Sequence, residues 1–162
     1  MGDFTQPEPQ KEHEWLQQLV GEWKWEGDAA EPGKENQKHH GTEIVRSLGG
    51  LWIVAEGRGQ APDGAASESV MTLGYNPENS AFVGTFVASM MTEMWVYQGW
   101  LDSSKNELVL DTEGPSFEDM TRRARYKDII RIVDKDNRIM TSSYQGEGGS
   151  WYQFMSLHYR RK

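Results

Sequence analysis

Cysteine is absent from this sequence of 162 residues. Its absence excludes disulfide frameworks, thiolate metal sites, cysteine nucleophiles and thiol redox chemistry. Positive charge is scarce as well, with 17 Lys and Arg against 25 Asp and Glu and a formal net charge of −8. A protein that coats phosphate backbones needs a surplus of Lys and Arg. We therefore expect no nucleic-acid partner.

Long apolar runs are also missing. No stretch approaches the roughly 18 apolar residues of a membrane span, and the N-terminus lacks the basic and apolar regions of a signal peptide. We expect no membrane partner and a cytoplasmic location. The length fits one domain with a single core. Residues 1–8 are polar and are predicted to form a flexible tail, and residues 9–162 are predicted to form the domain.

One short helix is predicted after the tail. Pro9 suits a first helical position, and Gly21 suits the end of a helix. Between them the apolar residues recur at helical spacing. These residues are Trp15, Leu16, Leu19 and Val20.

From Glu22 onward the hydrophobic period changes to two. Trp23 and Trp25 alternate with charged residues, which indicates a strand with one buried and one wet face. Nine further strand-like runs follow, at 39–48, 51–59, 67–75, 81–89, 93–101, 107–112, 120–133, 138–145 and 150–159. Turn residues separate these runs, and no helix that could serve as a parallel crossover lies between them. The pattern predicts an all-β fold, an antiparallel up-and-down barrel of about ten strands, with a two-sheet sandwich as the alternative.

Several predicted strands mix apolar and polar residues on both faces. Met94 and Trp100 share a face with Gln98, and Trp151 shares one with Gln153. One interpretation is a barrel interior that binds a small amphipathic molecule. The other is a packed interior whose outer aromatic residues are buried between copies of the chain. Exposed aromatic surface favours a homodimer in either case.

The Gly21-x-Trp23 sequence that opens the first strand resembles the signature of the calycin superfamily, which includes lipocalins, fatty-acid-binding proteins and nitrobindin-like haem barrels. The resemblance implies that Trp23 closes one end of the barrel and packs beneath an Arg of the last strand. Arg160 and Arg161 are the candidates for that Arg. Their implied role is structural, through a cation–π contact and hydrogen bonds.

From about Glu14 to its end, the chain resembles the uncharacterised bacterial family DUF1579. Five segments carry the resemblance in order: Gly-Glu-Trp at 21–23, Arg-Ser-Leu-Gly-Gly-Leu-Trp at 46–52, Leu-Gly-Tyr-Asn at 73–76, Gly-Trp-Leu-Asp at 99–102 and Tyr-Arg-Arg-Lys at 159–162. The resemblance implies a lipocalin-like barrel and no particular reaction.

Arg122 and Tyr126 share one face of a predicted strand, because side chains alternate along it. If that face points inward, the pair can bind the carboxylate of a ligand through the fork of the guanidinium. This arrangement is similar to the Arg-and-Tyr clamp of fatty-acid-binding proteins, although the spacing differs. The alternative is a solvated face that pairs with Glu113, Glu118 or Asp119.

His158 is the histidine to test as an interior ligand, because nitrobindin-like barrels hold haem through one interior histidine. Haem bound by His158 is the one cofactor option. No metal site is expected otherwise, because no histidine has a second ligand at a suitable spacing. Met94 lies in a methionine-rich stretch that suits either an adaptable pocket or core filling.

Catalytic motifs are also missing, since the chain has no Gly-x-Ser-x-Gly elbow, no Walker A loop and no dinucleotide fingerprint. We therefore predict non-covalent binding of a small, partly apolar molecule, without catalysis. The predicted binding residues are Arg122, Tyr126, Met94, Trp100, Trp151 and His158. One alternative is a barrel enzyme that acts on a small amphipathic molecule. The other is a filled barrel that dimerises as an interaction protein.

Overall fold

The computed structural model describes residues 4–29, 37–60 and 63–162. Within these residues, one short helix precedes ten antiparallel strands that form a closed barrel. The helix α1 spans Lys11–Gln17, and the strands are β1 Gly21–Ala29, β2 Gln37–Leu48, β3 Trp52–Gln60, β4 Ala66–Asn76, β5 Ala81–Ala88, β6 Trp95–Asp102, β7 Glu107–Pro115, β8 Arg123–Asp134, β9 Asn137–Gln145 and β10 Trp151–Arg161. The predicted barrel is confirmed, and the sandwich is not formed.

Each strand pairs with its neighbours in sequence, and β10 closes the barrel against β1. The β2–β3 turn contains Gly49 and Gly50, whose φ angles of 67° and 77° lie in the left-handed region that glycine enters at little cost. The pairing of β10 with β9 shifts register between Gln153 and Met155. This β-bulge changes which side chains of β10 face inward.

Helix α1 covers one end of the barrel. It begins at Lys11 rather than at Pro9, because Gln10 keeps an extended backbone and caps the helix. The Gln10 backbone N–H donates to Nδ1 of His13 at 2.9 Å, and Nε2 of His13 lies 3.0 Å from the Tyr75 carbonyl oxygen. The indole N–H of Trp15 donates to the side chain of Asn106 at 2.8 Å. These bonds attach the helix to two turns of the barrel.

The densest part of the core lies at the helix end of the barrel. The largest side chains that are almost fully buried are Trp23, Phe82, Leu16, Ile53, Leu73, Leu108, Leu110 and Ile130. They come from the helix and from inward positions near the turns that it covers. These side chains belong to one continuous buried cluster.

Parts of two predictions concern residues that are not described. Residues 1–3 of the predicted tail and Ala61-Pro62 of the predicted β3–β4 turn lie outside the described residues. Residues 4–8 are exposed, and the Gln6 side chain donates to the Gly49 carbonyl at 3.3 Å. In the described part of the chain, no helix has the length and apolar character needed to span a membrane.

Candidate functional site

A cavity of about 370 Å³ runs inside the barrel. It extends from Leu19 beside the helix toward the opposite end, where Met90 and Met91 lie at its edge and are exposed. Its wall is largely apolar, with Phe86 and Trp95 among the large contributors. A concave, mostly apolar space with a few polar groups is typical of small-molecule sites.

On β3 and β4, the inward residues farthest from the helix are small, which leaves room for part of the cavity. Inward residues alternate with outward ones along each strand. With increasing distance from the helix, the inward residues are Ile53, Ala55 and Gly57 on β3 and Leu73, Met71 and Ser69 on β4. Gly57 and Ser69 leave space that larger side chains would fill.

The end of the barrel beneath the helix is closed by Trp23, which is 1% exposed. Its indole N–H donates to the Leu19 carbonyl at 2.9 Å. The guanidinium of Arg161 lies 4.2 Å from the centre of the Trp23 ring and donates to the Val20 carbonyl at 2.8 Å. A Cβ at Gly21 would overlap this guanidinium. The Gly-x-Trp sequence thus makes room for the Arg that covers the tryptophan.

Of the two candidates for that Arg, the structure places Arg161 over Trp23. The two residues face each other in the β1–β10 register. Arg160 points outward and donates to Glu26 at 2.9 Å. The assignment to Arg160 is therefore corrected to Arg161, because alternation puts adjacent residues of β10 on opposite faces.

A second arginine, Arg138 of β9, lies between the closed end and the cavity. Its guanidinium stacks 3.8 Å from the Tyr159 ring centre and 4.8 Å from that of Trp23. It forms an ion pair with Glu43, and both side chains are buried, at 4% and 14% exposed. Arg138 is thus held by a carboxylate and two aromatic rings. Its charge is paired with that of Glu43, while its Nε is buried without a hydrogen-bond partner among the described atoms.

A different polar group lies on the cavity wall around Asp128 of β8. The hydroxyl of Tyr97 donates to one carboxylate oxygen at 2.5 Å, and the hydroxyl of Ser142 donates to the other at 2.5 Å. All three residues line the cavity. Thr112 also lines it, and its hydroxyl is buried without a hydrogen-bond partner among the described atoms.

Burial changes the acidity of these groups. Desolvation raises the pKa of Asp128, and the hydroxyls of Ser142 and Tyr97 offset part of this rise by hydrogen bonding to the carboxylate. Desolvation, followed by the nearby Asp128 charge, raises the pKa of Tyr97 well above its ordinary value. Desolvation likewise raises the pKa of Tyr159. Titratable groups perturbed by burial inside a cleft are common at functional sites.

Of the predicted carboxylate clamp, Tyr126 lines the cavity and Arg122 does not. The Tyr126 hydroxyl donates to the Pro115 carbonyl at 2.5 Å. Arg122 precedes β8, is exposed, and pairs with Asp119 at 3.5 Å and with Glu147 at 2.7 Å. The two side chains are not brought together, because the β7–β8 loop ends only at Arg122.

Met94 and Trp100 are placed outside the cavity. Within β6 the buried positions are Tyr97 and Gly99, so the alternate position Trp100 faces outward and is 52% exposed. Met94 lies in the loop before β6 and is 57% exposed. The inward face of β6 is the one that carries Trp95 and Tyr97. Alternation was predicted correctly, but not which of the two faces points inward.

The bulge of β10 explains the positions of Trp151 and His158. Phe154, which lies within the bulge, lines the cavity, and after the bulge Met155, Leu157 and Tyr159 do. Trp151 is therefore outside, where the ammonium of Lys127 lies 4.6 Å from its ring centre. His158 also points outward, and its Nε2 lies 3.0 Å from the Asn137 side-chain oxygen. A haem inside the barrel does not fit a ligand at His158, because the ring faces away from the cavity.

Residues that sequence reasoning missed are Asp128, Tyr97, Ser142, Thr112, Arg138 and Glu43. The sequence does indicate Asp128, because it alternates in phase with Tyr126 and Ile130, whose side chains point inward. A single acid among apolar inward residues is rarely tolerated without a purpose or partners. Among the residues with described positions, no group of three His, Cys, Asp or Glu side chains could hold a metal ion.

Comparisons with known proteins agree with this fold. The sequence model of the family described as "Protein of unknown function (DUF1579)" matches residues 8–161, so the resemblance inferred from the five segments is confirmed. A search of curated proteins finds no match to the chain.

Several solved structures are similar. The S-type phycobiliprotein lyase CPES from Guillardia theta is 14% identical, with a TM-score of 0.62 over 95% of this chain and 98% of that one. Rv2717c from M. tuberculosis is 13% identical, with a TM-score of 0.66 over 96% and 99%. EF1p2_mFAP2b, solved bound to DFHBI, is 9% identical, with a TM-score of 0.51 over 94% and 100%. At these identities the likeness concerns the barrel fold alone.

Proposed function

The chain belongs to the DUF1579 family, and from that premise and the hollow barrel we propose that it binds a small, partly apolar molecule non-covalently in the cavity. The observation that carries the proposal is the cavity of about 370 Å³ behind small inward residues. A protein that needed only a stable core would gain by filling this space, because an empty apolar cavity costs packing energy.

The apolar wall and the isolated polar group support a ligand with two parts. The side chains of Met71, Phe86 and Trp95 offer apolar contact, and Asp128 offers a polar anchor. Methionines at the cavity edge, Met90 and Met91, suit an adaptable entrance. Similar barrels that hold a small molecule exist, since EF1p2_mFAP2b was solved bound to DFHBI.

Binding is tested first by native mass spectrometry of the purified protein and by titration with the neutral fluorophore N-phenyl-1-naphthylamine. We expect a bound mass of a few hundred daltons or, after its removal, saturable fluorescence enhancement. Ala55→Phe places a ring in the cavity and is expected to weaken probe binding at least about tenfold, or roughly 1.4 kcal/mol. Ala55 is 5% exposed and lines the cavity.

The matched control is Ala66→Phe, the same change at an exposed position at the start of β4. It is expected to bind the probe as the wild type does, and circular dichroism checks that both variants keep their strands. A wild-type protein that carries no ligand and does not enhance the fluorescence would contradict the proposal.

The second candidate function, an enzyme acting on such a molecule, is favoured by one observation. Asp128 and Tyr97 are titratable, hydrogen-bonded to each other and exposed to the cavity, and burial raises the pKa of each. Such a pair can exchange a proton with a bound substrate. If it does, the wild type is expected to co-purify with the product and Asp128→Asn with the unreacted substrate, and the two molecules differ in mass. Identical molecules would favour simple binding.

We also propose that the chain forms a homodimer through the outer face of β4, β5 and β6. The outward residues of these strands between Val70 and Trp100 carry no charge; they are Val70, Thr72, Val83, Thr85, Val87, Val96, Gln98 and Trp100. A second copy is the fitting occupant, because two chains of net charge −8 repel each other least through an uncharged face.

The cytoplasmic location stays a prediction from the sequence.

A further inference from the structure

The charge inside the cavity is not balanced. Among the described residues, the acidic and basic side chains that line it are His39, Glu43, Glu68, Asp128 and Arg138. Arg138 is paired with Glu43. Glu68, at the edge of the cavity, pairs with Arg58 at 3.7 Å, and both of these side chains are exposed. Asp128 is thus the one interior acid in the described residues without a cationic partner.

The carboxylate of Asp128 keeps hydrogen-bonding capacity. Each of its oxygens accepts one hydroxyl, from Tyr97 or from Ser142. A carboxylate oxygen can accept two hydrogen bonds, so each has one position left for a donor. Neither hydroxyl brings positive charge. A buried carboxylate with only neutral partners favours any cation that can reach it.

A second unsatisfied group lies on the same wall. Thr112 is 7% exposed, lines the cavity, and its hydroxyl has no hydrogen-bond partner in the described structure. It stands on β7, opposite Tyr126 in the β7–β8 register, while Asp128 stands opposite Leu110. Thr112 and Asp128 are therefore diagonal neighbours on one face of the sheet, about 7–8 Å apart by the usual strand spacing. A protonated amine between them can donate one hydrogen bond to the carboxylate and another to the oxygen of the hydroxyl.

We propose that the cavity selects amphipathic molecules that carry a protonated amine, which binds to Asp128, over molecules of the same shape that are neutral or carry a carboxylate. The apolar body of the ligand lies against Phe86, Trp95 and Met71. This inference rests on the proposed function and specifies its ligand class. It replaces the carboxylate-binding role predicted for Arg122 and Tyr126.

The test uses three probes with one naphthalene body: 2-(aminomethyl)naphthalene, 2-methylnaphthalene and 2-naphthoate, titrated calorimetrically at pH 7. We expect the amine to bind at least about tenfold more tightly than the neutral hydrocarbon, because a hydrogen bond to a charged group contributes that much. The carboxylate is expected to bind more weakly than the hydrocarbon, because it meets the charge of Asp128.

Asp128→Asn is expected to abolish the preference for the amine and leave binding of the hydrocarbon unchanged. The control Asp111→Asn removes the same charge from an exposed position on the outside of β7, and it should keep the preference. Tyr97→Phe removes one hydroxyl partner but keeps the carboxylate, so the preference should persist there too. If Asp128→Asn does not fold, the order in which the wild type binds the three probes still tests the selectivity.

The outcomes separate the two proposals. If all three probes bind the wild type equally, or if Asp128→Asn keeps the preference, the amine selectivity is overturned and the binding function stands. If the carboxylate binds best, the selectivity is overturned as well. If none of the probes binds, both the selectivity and the binding function are contradicted.

Discussion

Arg138 shows how a charged residue can belong to the interior of this barrel. The energetic balance of a buried ion pair depends on both partners being present. Arg138 satisfies the charge of Glu43 and stacks on Tyr159 and Trp23, so one side chain connects the cavity wall to the closed end. The guanidinium groups of Arg161 and Arg138 both contact the ring of Trp23, the tryptophan of the Gly-x-Trp sequence.

Arg138→Met should destabilise the protein by about 3 kcal/mol, because it leaves the buried carboxylate of Glu43 unpaired. The free energy of unfolding in urea measures this effect. Replacing Glu43 by Leu in the same variant should recover most of the loss. Arg160→Met, which breaks the exposed pair with Glu26, should cost less than about 1 kcal/mol. Equal losses in Arg138→Met and Arg160→Met would contradict this account of the ion pair.

Asp128 also makes stability depend on pH. Burial raises the pKa of its carboxyl above the ordinary 3.8 that it regains on unfolding. The unfolded chain therefore loses this proton at a lower pH than the folded protein does. The contribution of Asp128 to stability is fully present below pH 3.8, and it is lost as the pH rises through the folded-state pKa.

We expect the free energy of unfolding of the wild type, minus that of Asp128→Asn, to fall as the pH increases from below 3.8 toward neutrality. Urea unfolding at a series of pH values measures the difference, and Asp111→Asn serves as the control for removing one negative charge. A difference that rises over this range would show that the hydroxyls of Tyr97 and Ser142 outweigh the desolvation of the carboxyl.

At the scale of elements, β6 and β7 separate toward the open end of the barrel. Their pairing runs only from Gln98 to Asp102 on β6, so Trp95 has no partner on β7. The ring of Trp95 lies against Gly114 of β7, where a Cβ would overlap it. The absence of a side chain at Gly114 lets an aromatic ring cover the place where the two strands are not hydrogen-bonded.

Gly114→Ala should force the Trp95 ring to move and destabilise the protein by about 1–3 kcal/mol, as overpacking typically does. Urea unfolding gives the loss, and a shift of tryptophan emission reports the changed surroundings of the ring. Gly148→Ala is the control, because nothing lies within 4 Å of a Cβ at Gly148. A neutral Gly114→Ala would show that Trp95 can leave the wall freely.

At the scale of the whole molecule, charge is distributed unevenly over the outside of the barrel. The outer face of β8 carries Arg123, Arg125 and Lys127, which pair with acids of neighbouring segments. Arg125 pairs with Glu113 on this face, and Arg122 pairs with Asp119 in the loop before β8; both acids are among those named in the alternative to the carboxylate clamp. The outer face of β4, β5 and β6 carries no charge between Val70 and Trp100, and Val87 and Val96 there are 42% and 58% exposed.

Val87→Lys should convert the proposed homodimer into a monomer, because it places a charge on the uncharged face. Sedimentation velocity at several protein concentrations measures the mass. Val133→Lys, the same change at an exposed valine of β8, should leave the dimer intact. A wild-type protein that sediments as a monomer at all concentrations would contradict the homodimer.

The strand pattern and the pairing of consecutive strands follow from the amino-acid sequence. Period-two alternation, short turns and the lack of crossover helices leave little choice of topology, because adjacent antiparallel strands pair locally. The Gly-x-Trp sequence also identified Trp23 correctly as a buried plug. These features depend on neighbours in sequence, which is why they could be predicted.

The tertiary structure alone decided which face of each strand points inward and which residues meet across the barrel. Alternation defines the two faces of a strand, but it does not show which face points inward when both carry apolar and polar residues, as in β6. In β10, a single extra residue exchanges the two faces. Asp128 meets Tyr97 from a strand 31 residues away, and Arg138 meets Glu43 from one 95 residues away. Such contacts arise from closure of the sheet, so no local pattern contains them.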